Sequence, residues 1–287
     1  MDIDVLGALA VRENGVSITP TAPKPRQVLA LLALHADQVV PVSALIEELW
    51  GDEPPRSART TLQTYVLQLR ALIATALEVG GGAGAGGGDG GLEDSGGRTA
   101  KDVLVTLPGG YLLNSNGGTS DVREFDRLAG TGYRAMDAGD FPGAARLLRE
   151  ALALWSGPAF ADVQGGVQLD METRRLEETR LCALDQRIEA DLRLGRHREL
   201  LAELTVLASR YRTHENLHGQ FMLALHRSGR RGEALDVYQR LRGTLVRELG
   251  LEPSAALRRL QRSILMAGPE NPAEAAVEAG GERLVRV

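Results

Sequence analysis

Three apolar stripes at helical spacing, held between two hairpin signals, fill the first 115 residues, and that order excludes most folds. The opening signal is "IDVLGALAVRENGVSIT" (3–19), where Asn14-Gly15 reads as a two-residue turn between short strands. The first stripe is Val28, Leu31, Leu32 and His35, in a segment whose Pro25 suits a first helical turn. The second is Val42, Leu45, Ile46, Leu49 and Trp50, opened by Pro41 and Ser43 and stopped by Gly51 and Pro54-Pro55. In the third, Leu62, Val66, Leu69 and Ile73 share one face behind a Ser57 N-cap. The closing signal is "VLVTLPGGYLL" (103–113), two β-rich runs about a Pro-Gly-Gly turn. A β segment, three helices and a hairpin predict a winged helix-turn-helix, whose third helix enters a DNA major groove.

From Asp121 to about Met266 the periodicity is helical almost throughout. "MDAGDFPGAARLLREALAL", "LRLGRHRELLAELTVLASRY" and "LHRSGRRGEALDVYQRLRGTL" share one grammar: helix end, Gly, charged residue, new amphipathic helix. Gly195 and Gly229 are 34 positions apart, the tetratricopeptide period, while Gly139 lies 56 before Gly195 because "WSGPAFADVQGG" intervenes. The expected architecture is therefore an α+β winged helix-turn-helix domain (1–115) followed by an all-α tetratricopeptide-like helical repeat domain (121–267). A flexible Gly-rich insertion (79–100) interrupts the first, residues 116–120 link the two, and 268–287 read as a disordered tail.

Composition narrows the function. No run of eighteen apolar residues exists, and Asp2 and Asp4 with no basic start argue against a secretory signal, so a cytoplasmic chain with no membrane partner is expected. Cys182 is the single cysteine, read as a helix-face packing residue. Residues 1–115 carry 8 basic and 13 acidic side chains and the remainder 25 of each, so any nucleic-acid binding must rest on local charge placement. The Gly-rich run lacks the Gly-Lys-Ser/Thr ending of a phosphate loop. "HENLH" (214–218) matches the zinc-protease pattern, with His214 and His218 as ligands and Glu215 as base. It opens a helix behind a Thr213 cap within a repeat, however, and a third ligand is not evident, so a structural role is expected. No catalytic constellation stands out; the expectation is a non-enzyme without metal or cofactor.

The polar side of the third helix is the candidate reading surface. Thr60, Gln63, Thr64, Leu67 and Gln68 lie opposite the apolar face, with Arg59 and Arg70 on its flank. Gln pairs with adenine and Arg with guanine, and a Thr methyl or Leu67 meets a thymine methyl. Phosphate contacts are expected from Lys24, Arg26, Arg56 and the Trp50 indole N–H. The plainer alternatives are solvated charges for Lys24 and Arg26, core packing for Trp50, and an ion pair of Arg59 with Asp52 or Glu53.

"PKPRQVLALLALHADQVVPVSALIEELWGDEPPRSARTTLQTYVLQLRALI" with "TLPGGYLL" resembles the OmpR-type DNA-binding domain of the Streptomyces antibiotic regulatory proteins. "FDRLAGTGYRAMDAGDFPGAARLLREALALWSGPAFADV", "RLEETRLCALDQRIEADLRLGRHRELLAEL" and "LALHRSGRRGEALDVYQRLRGTLVRELGLEPSAALRRLQRSIL" resemble that family's bacterial transcriptional activation domain. The resemblance covers about residues 3–267 and implies an activator of a biosynthetic gene cluster. It further implies binding to direct repeats near the −35 element of double-stranded promoter DNA, two protomers side by side, and contact with RNA polymerase and its sigma factor. Lys24, Trp50, Arg56, Arg59, Thr60, Gln63, Thr64 and Arg70 match positions where family members touch DNA, and the hairpin adds Thr106, Gly109 and Tyr111 as backbone contacts. Three positions depart from the pattern: Leu107 replaces a basic wing residue (Arg98 and Lys101 being the nearest substitutes), Gln68 replaces an Arg, and the Gly-rich insertion is long. They predict weak, salt-sensitive DNA binding. With no ATPase or receiver segment, neither ATP nor phosphorylation is the expected switch. The rival reading is a tetratricopeptide-like interaction or ligand-sensing scaffold.

Overall fold

A computed structural model describes residues 1–81 and 98–267. The central part of the Gly-rich insertion and the tail expected to be disordered lie outside the described residues. Asn14 and Gly15 take φ values of 51° and 78°, the left-handed pair that a tight hairpin needs, between β2 (Ala10–Glu13) and β3 (Val16–Ser17). β1 (Asp2–Asp4) pairs antiparallel with β2, Ile3 opposite Val11. Next come α1 (Pro23–Leu34), β4 (Val39–Pro41), α2 (Val42–Trp50) and α3 (Ala58–Gly81). Gly51, at φ 61°, ends α2 as its sequence position suggests. α3 runs four residues past Leu77, where the apolar stripe fades, because extending a formed helix costs little.

One short element was not expected. Thr99 and Asp102 form a capping box at α4 (Ala100–Val103): the Asp102 carboxylate accepts from the Thr99 amide (2.8 Å) and hydroxyl (2.7 Å). β5 (Leu104–Leu107) and β6 (Gly110–Leu113) then form the second hairpin, with Thr106 opposite Tyr111 and Gly109 at φ 81° in the turn. β4 pairs on the far side of β6, giving the order β4-β6-β5. The three stripes meet beneath this sheet: Val28, Leu31, Leu32, Leu45, Leu62, Leu69, Ile73, Leu104 and Leu113 are all at most 1% exposed. Burying such a leucine contributes about 1.5–3 kcal/mol, which makes the apolar faces, not the turns, the source of stability.

Among the described residues seven helices follow: α5 (Asp121–Asp137), α6 (Phe141–Ala153), α7 (Val167–Arg193), α8 (His197–Arg210), α9 (Glu215–Arg227), α10 (Arg231–Leu249) and α11 (Ala255–Met266). By contact the described chain divides into two compact units, Met1–Ala138 with Arg146–Leu184, and Gly139–Ala145 with the rest. The first unit thus holds the winged helix together with α5, most of α6 and the first part of α7. The residues read as a linker are hydrogen-bonded within it, the Ile3 amide donating to Thr119 O (3.0 Å). The Asp121 carboxylate accepts from the Val5 and Leu6 amides, both at 2.7 Å. Burial nevertheless pushes its pKa above the usual carboxylate value. The intervening "WSGPAFADVQGG" straps the N-terminus: Ser156, Phe160 and Ala161 amides donate to Leu6, Val5 and Gly7 carbonyls. Trp155 in that strap packs edge-on to Phe125 (5.6 Å) under the Arg180 guanidinium (4.7 Å).

In the second unit α9 packs against α8 and α10, and α11 against both α9 and α10. Gly139, Gly195 and Gly229 take nearly equal left-handed φ values of 76°, 77° and 78°, so the shared grammar is also a shared backbone turn. Cys182 is exposed on α7, not packed as expected: its position on the helix faces outward while Ala183 beside it is fully buried.

Candidate nucleic-acid interface

α3 buries Leu62, Val66, Leu69 and Ile73 at no more than 2% exposure, and this fixes which side faces out. Arg59, Thr60, Gln63, Thr64, Leu67 and Gln68 are exposed on the opposite side. Leu67 is 63% exposed, an apolar side chain left in water within a polar stripe. Thr64 Oγ1 donates back to Thr60 O (3.1 Å), which holds its methyl group in one rotamer. Among the described residues no hydrogen bond or ion pair engages the side chains of Arg56, Arg59, Gln63 or Gln68; in particular Arg59 does not pair with Asp52 or Glu53.

The remaining candidates are engaged inside the fold. Lys24 Nζ donates to Leu49 O (2.6 Å) and Gln27 Oε1 (3.3 Å), capping the C-terminal end of α2, though its side chain stays exposed with donor capacity left over. Arg26 is bound to Pro20 O (2.8 Å) and to Asp162 Oδ2 (2.5 Å), a carboxylate 136 positions along the chain. Arg70 bridges α3 to the hairpin, with two donors to Leu104 O (3.1 and 2.6 Å) and one to Thr106 Oγ1 (2.8 Å). Arg70 and Thr106 therefore hold the wing against α3. Tyr111 is buried at 7%, Trp50 is half-buried against the core, and Gly109 is exposed with its carbonyl accepting from the Val42 amide (2.9 Å). Arg98 is spent on Glu13 Oε1 (2.6 Å) and Asn114 O (2.9 Å), which leaves Lys101 as the basic side chain near the wing without a partner among the described residues.

A buried polar cluster joins α1, α2 and the start of α7. Glu48, 2% exposed, accepts from the amides of Gly166 (2.5 Å), Gln168 (2.9 Å) and Leu169 (3.1 Å), and from Gln27 Nε2 (2.9 Å). Gln168 and Leu169 belong to the first turn of α7, whose amides lack internal acceptors, and Gly166 directly precedes it, so one carboxylate of α2 caps a helix more than a hundred residues away. The approach requires Gly166, whose Cβ would lie 2.1 Å from Glu48 O. The signal was available: Glu48 follows Leu45 by three positions and so belongs to the buried side of α2.

"HENLH" is fully used as structure. The N-cap of α9 is His214, not Thr213, because its Nδ1 accepts from the Leu217 amide (3.3 Å). Glu215 Oε2 accepts from the Ser254 amide (2.7 Å), and His218 Nδ1 lies 3.0 Å from His214 O. Burial lowers the His218 pKa, and the backbone contact to His214 only partly offsets that. No group of three potential ligands able to hold a metal occurs among the described residues.

The bacterial transcriptional activator domain family matches residues 120–265, and the family of transcriptional regulatory protein C-terminal domains matches residues 16–79. The chain is similar to regulatory protein DnrI of Streptomyces peucetius, 52% identical over 96% of this chain and 99% of that protein. It is 36% identical to regulatory protein AfsR of Streptomyces coelicolor over 92% of its own length, but spans only 24% of AfsR. Among solved structures, Mycobacterium tuberculosis EmbR in complex with a low affinity phosphopeptide aligns with a TM-score of 0.79 and 31% identity, over 97% of this chain and 69% of that one.

Proposed function

We propose, for a chain that belongs to the Streptomyces antibiotic regulatory protein family of transcriptional regulators, that α3 reads promoter DNA in the major groove and that the chain activates a biosynthetic gene cluster. The observation that carries this reading is the stripe of Arg59, Thr60, Gln63, Thr64, Leu67 and Gln68: exposed and polar but for one leucine, with Arg59, Gln63 and Gln68 unpartnered among the described residues. A buried or self-satisfied face has nothing left to offer a base edge; this one does. Arg56 and Lys24 are the phosphate contacts, joined by the Trp50 indole and the hairpin backbone around Gly109. Arg26, Arg70, Thr106 and Tyr111 act by positioning: they lock α1 to the strap and the wing to α3. Two protomers on direct repeats near the −35 element, with RNA polymerase and sigma factor contacted by the helical repeats, complete the proposal. One α3 with Arg59, and Arg56 just before it, close in sequence to Asp52 and Glu53, binds weakly alone, and a second copy supplies the missing affinity.

The alternative is an interaction or ligand-sensing scaffold with vestigial DNA binding, favoured by Leu107 at the wing and by the engagement of Arg26 and Arg98. Fluorescence anisotropy of labelled promoter DNA from the neighbouring genes, against scrambled DNA at two salt concentrations, separates them. Saturable binding that prefers the promoter and weakens with salt supports the activator. Equal binding to both DNAs even at low salt overturns base reading and favours the scaffold.

A further inference from the structure

We propose that the groove between α8 and α10, floored by α9, binds a small organic anion with an aromatic-sized apolar body. Its volume is about 420 Å³, within the range of small-molecule sites. The floor is mostly apolar: Phe221, Val237 and Leu241 are each at most 8% exposed, with the buried His218 beside them. Arg212, from the turn after α8, and Arg240 and Thr244, one turn apart on α10, line the same space.

What singles this groove out is an arginine without a hydrogen bond set against apolar side chains; Arg198, Arg258, Arg259 and Arg262 of this unit also lack one among the described residues, and the last three line a space with no apolar side chain larger than Ala255. Elsewhere in this unit Arg187 and Arg196 hold Asp191, Arg230 holds Glu233, Arg242 holds Glu252, and Arg227 and Arg231 donate to helix carbonyls. Arg240 makes no hydrogen bond or ion pair among the described residues; the nearby Glu233 is already bonded twice by Arg230. Arg212 has a single distant contact, 3.6 Å to Glu248, with its side chain 61% exposed. The Thr244 hydroxyl is likewise uncommitted, whereas Thr205 and Ser209 donate to carbonyls of their own helix. Two guanidinium groups and no carboxylate line the groove, and a guanidinium fork matches a planar carboxylate. A bare inorganic ion leaves Phe221, Val237 and Leu241 uncovered, so a ligand that fills the groove carries an apolar body beneath its charged head. The site lies wholly within the second unit and does not depend on the DNA reading.

Isothermal titration calorimetry of the full chain with 2-naphthoate tests this, with 2-naphthamide and inorganic phosphate as controls. Saturable one-to-one binding of naphthoate is expected, weakened at least about tenfold for the neutral amide and for R240Q. Phosphate should not compete. R240Q removes no internal bond, so its thermal midpoint should match the wild type and separate lost binding from lost folding. R258Q, an exposed arginine of α11 away from the groove, should bind as the wild type does. No saturable binding at millimolar naphthoate, or equal weakening by R240Q and R258Q, overturns the proposal.

Discussion

On the outer side of α3, the side chains of Arg59, Gln63 and Gln68 hold no intramolecular hydrogen bond among the described residues; at the end of α2, the Glu48 carboxylate holds four. Both sets belong to the same small helical core and are polar. The α2 cluster is buried and satisfied, so its interactions count toward stability. The α3 set is exposed and unsatisfied except by water, so its capacity is available to a partner. A polar residue's role in this unit is read from whether its hydrogen bonds are already made.

That contrast yields tests in descending size. E48A leaves the Gly166, Gln168 and Leu169 amides without their acceptor, while Gln27 Nε2 keeps the Glu48 carbonyl (2.7 Å), and should destabilise the chain by about 3–5 kcal/mol. Urea titration measures this as a lowered midpoint, and a shift under 1 kcal/mol would show that the cluster is a spectator. Q63A should do the reverse. Its urea midpoint stays put, while affinity for the preferred DNA falls by about 1–3 kcal/mol and preference relaxes at one base pair. An unchanged preference removes Gln63 from the reading set.

His218 tests the contrast in the helical repeats. Its folded pKa lies below the ordinary 6.5 because burial disfavours the charged ring, so below that pH the unfolded chain binds more protons. Stability should therefore fall as pH drops through about 6.5. H218Q should cost about 1 kcal/mol at pH near 7.5 yet flatten the decline toward 5.5, read as thermal midpoints at the two pH values. An undiminished slope assigns the decline to other groups, His197 first, whose pKa burial also lowers. Smallest is the comparison of two arginines by salt titration. R56A should weaken all DNA sequences alike and reduce the salt slope by about 1, whereas R26A, whose guanidinium is bound to Asp162, should leave the slope unchanged. Equal slopes for the two variants would contradict their separate roles.

The sequence by itself determined whatever depends on neighbours a few positions apart. The stripes of α1, α2 and α3, the Asn14-Gly15 and Gly109 turns and the repeated glycine turns all follow from spacing, because helix and hairpin geometry place those residues together whatever lies beyond. The outward side of α3 was legible for the same reason, since burying Leu62, Val66, Leu69 and Ile73 leaves the others one place to go. Tertiary structure alone decided which polar groups are spent. Arg26 on Asp162, Arg70 on the wing, Arg98 on Glu13 and Glu48 on the start of α7 join residues from 34 to 136 positions apart. Nothing in a local pattern encodes such a partner: a buried charge finds its counter-group only once the core has packed, and burial without one costs too much to persist.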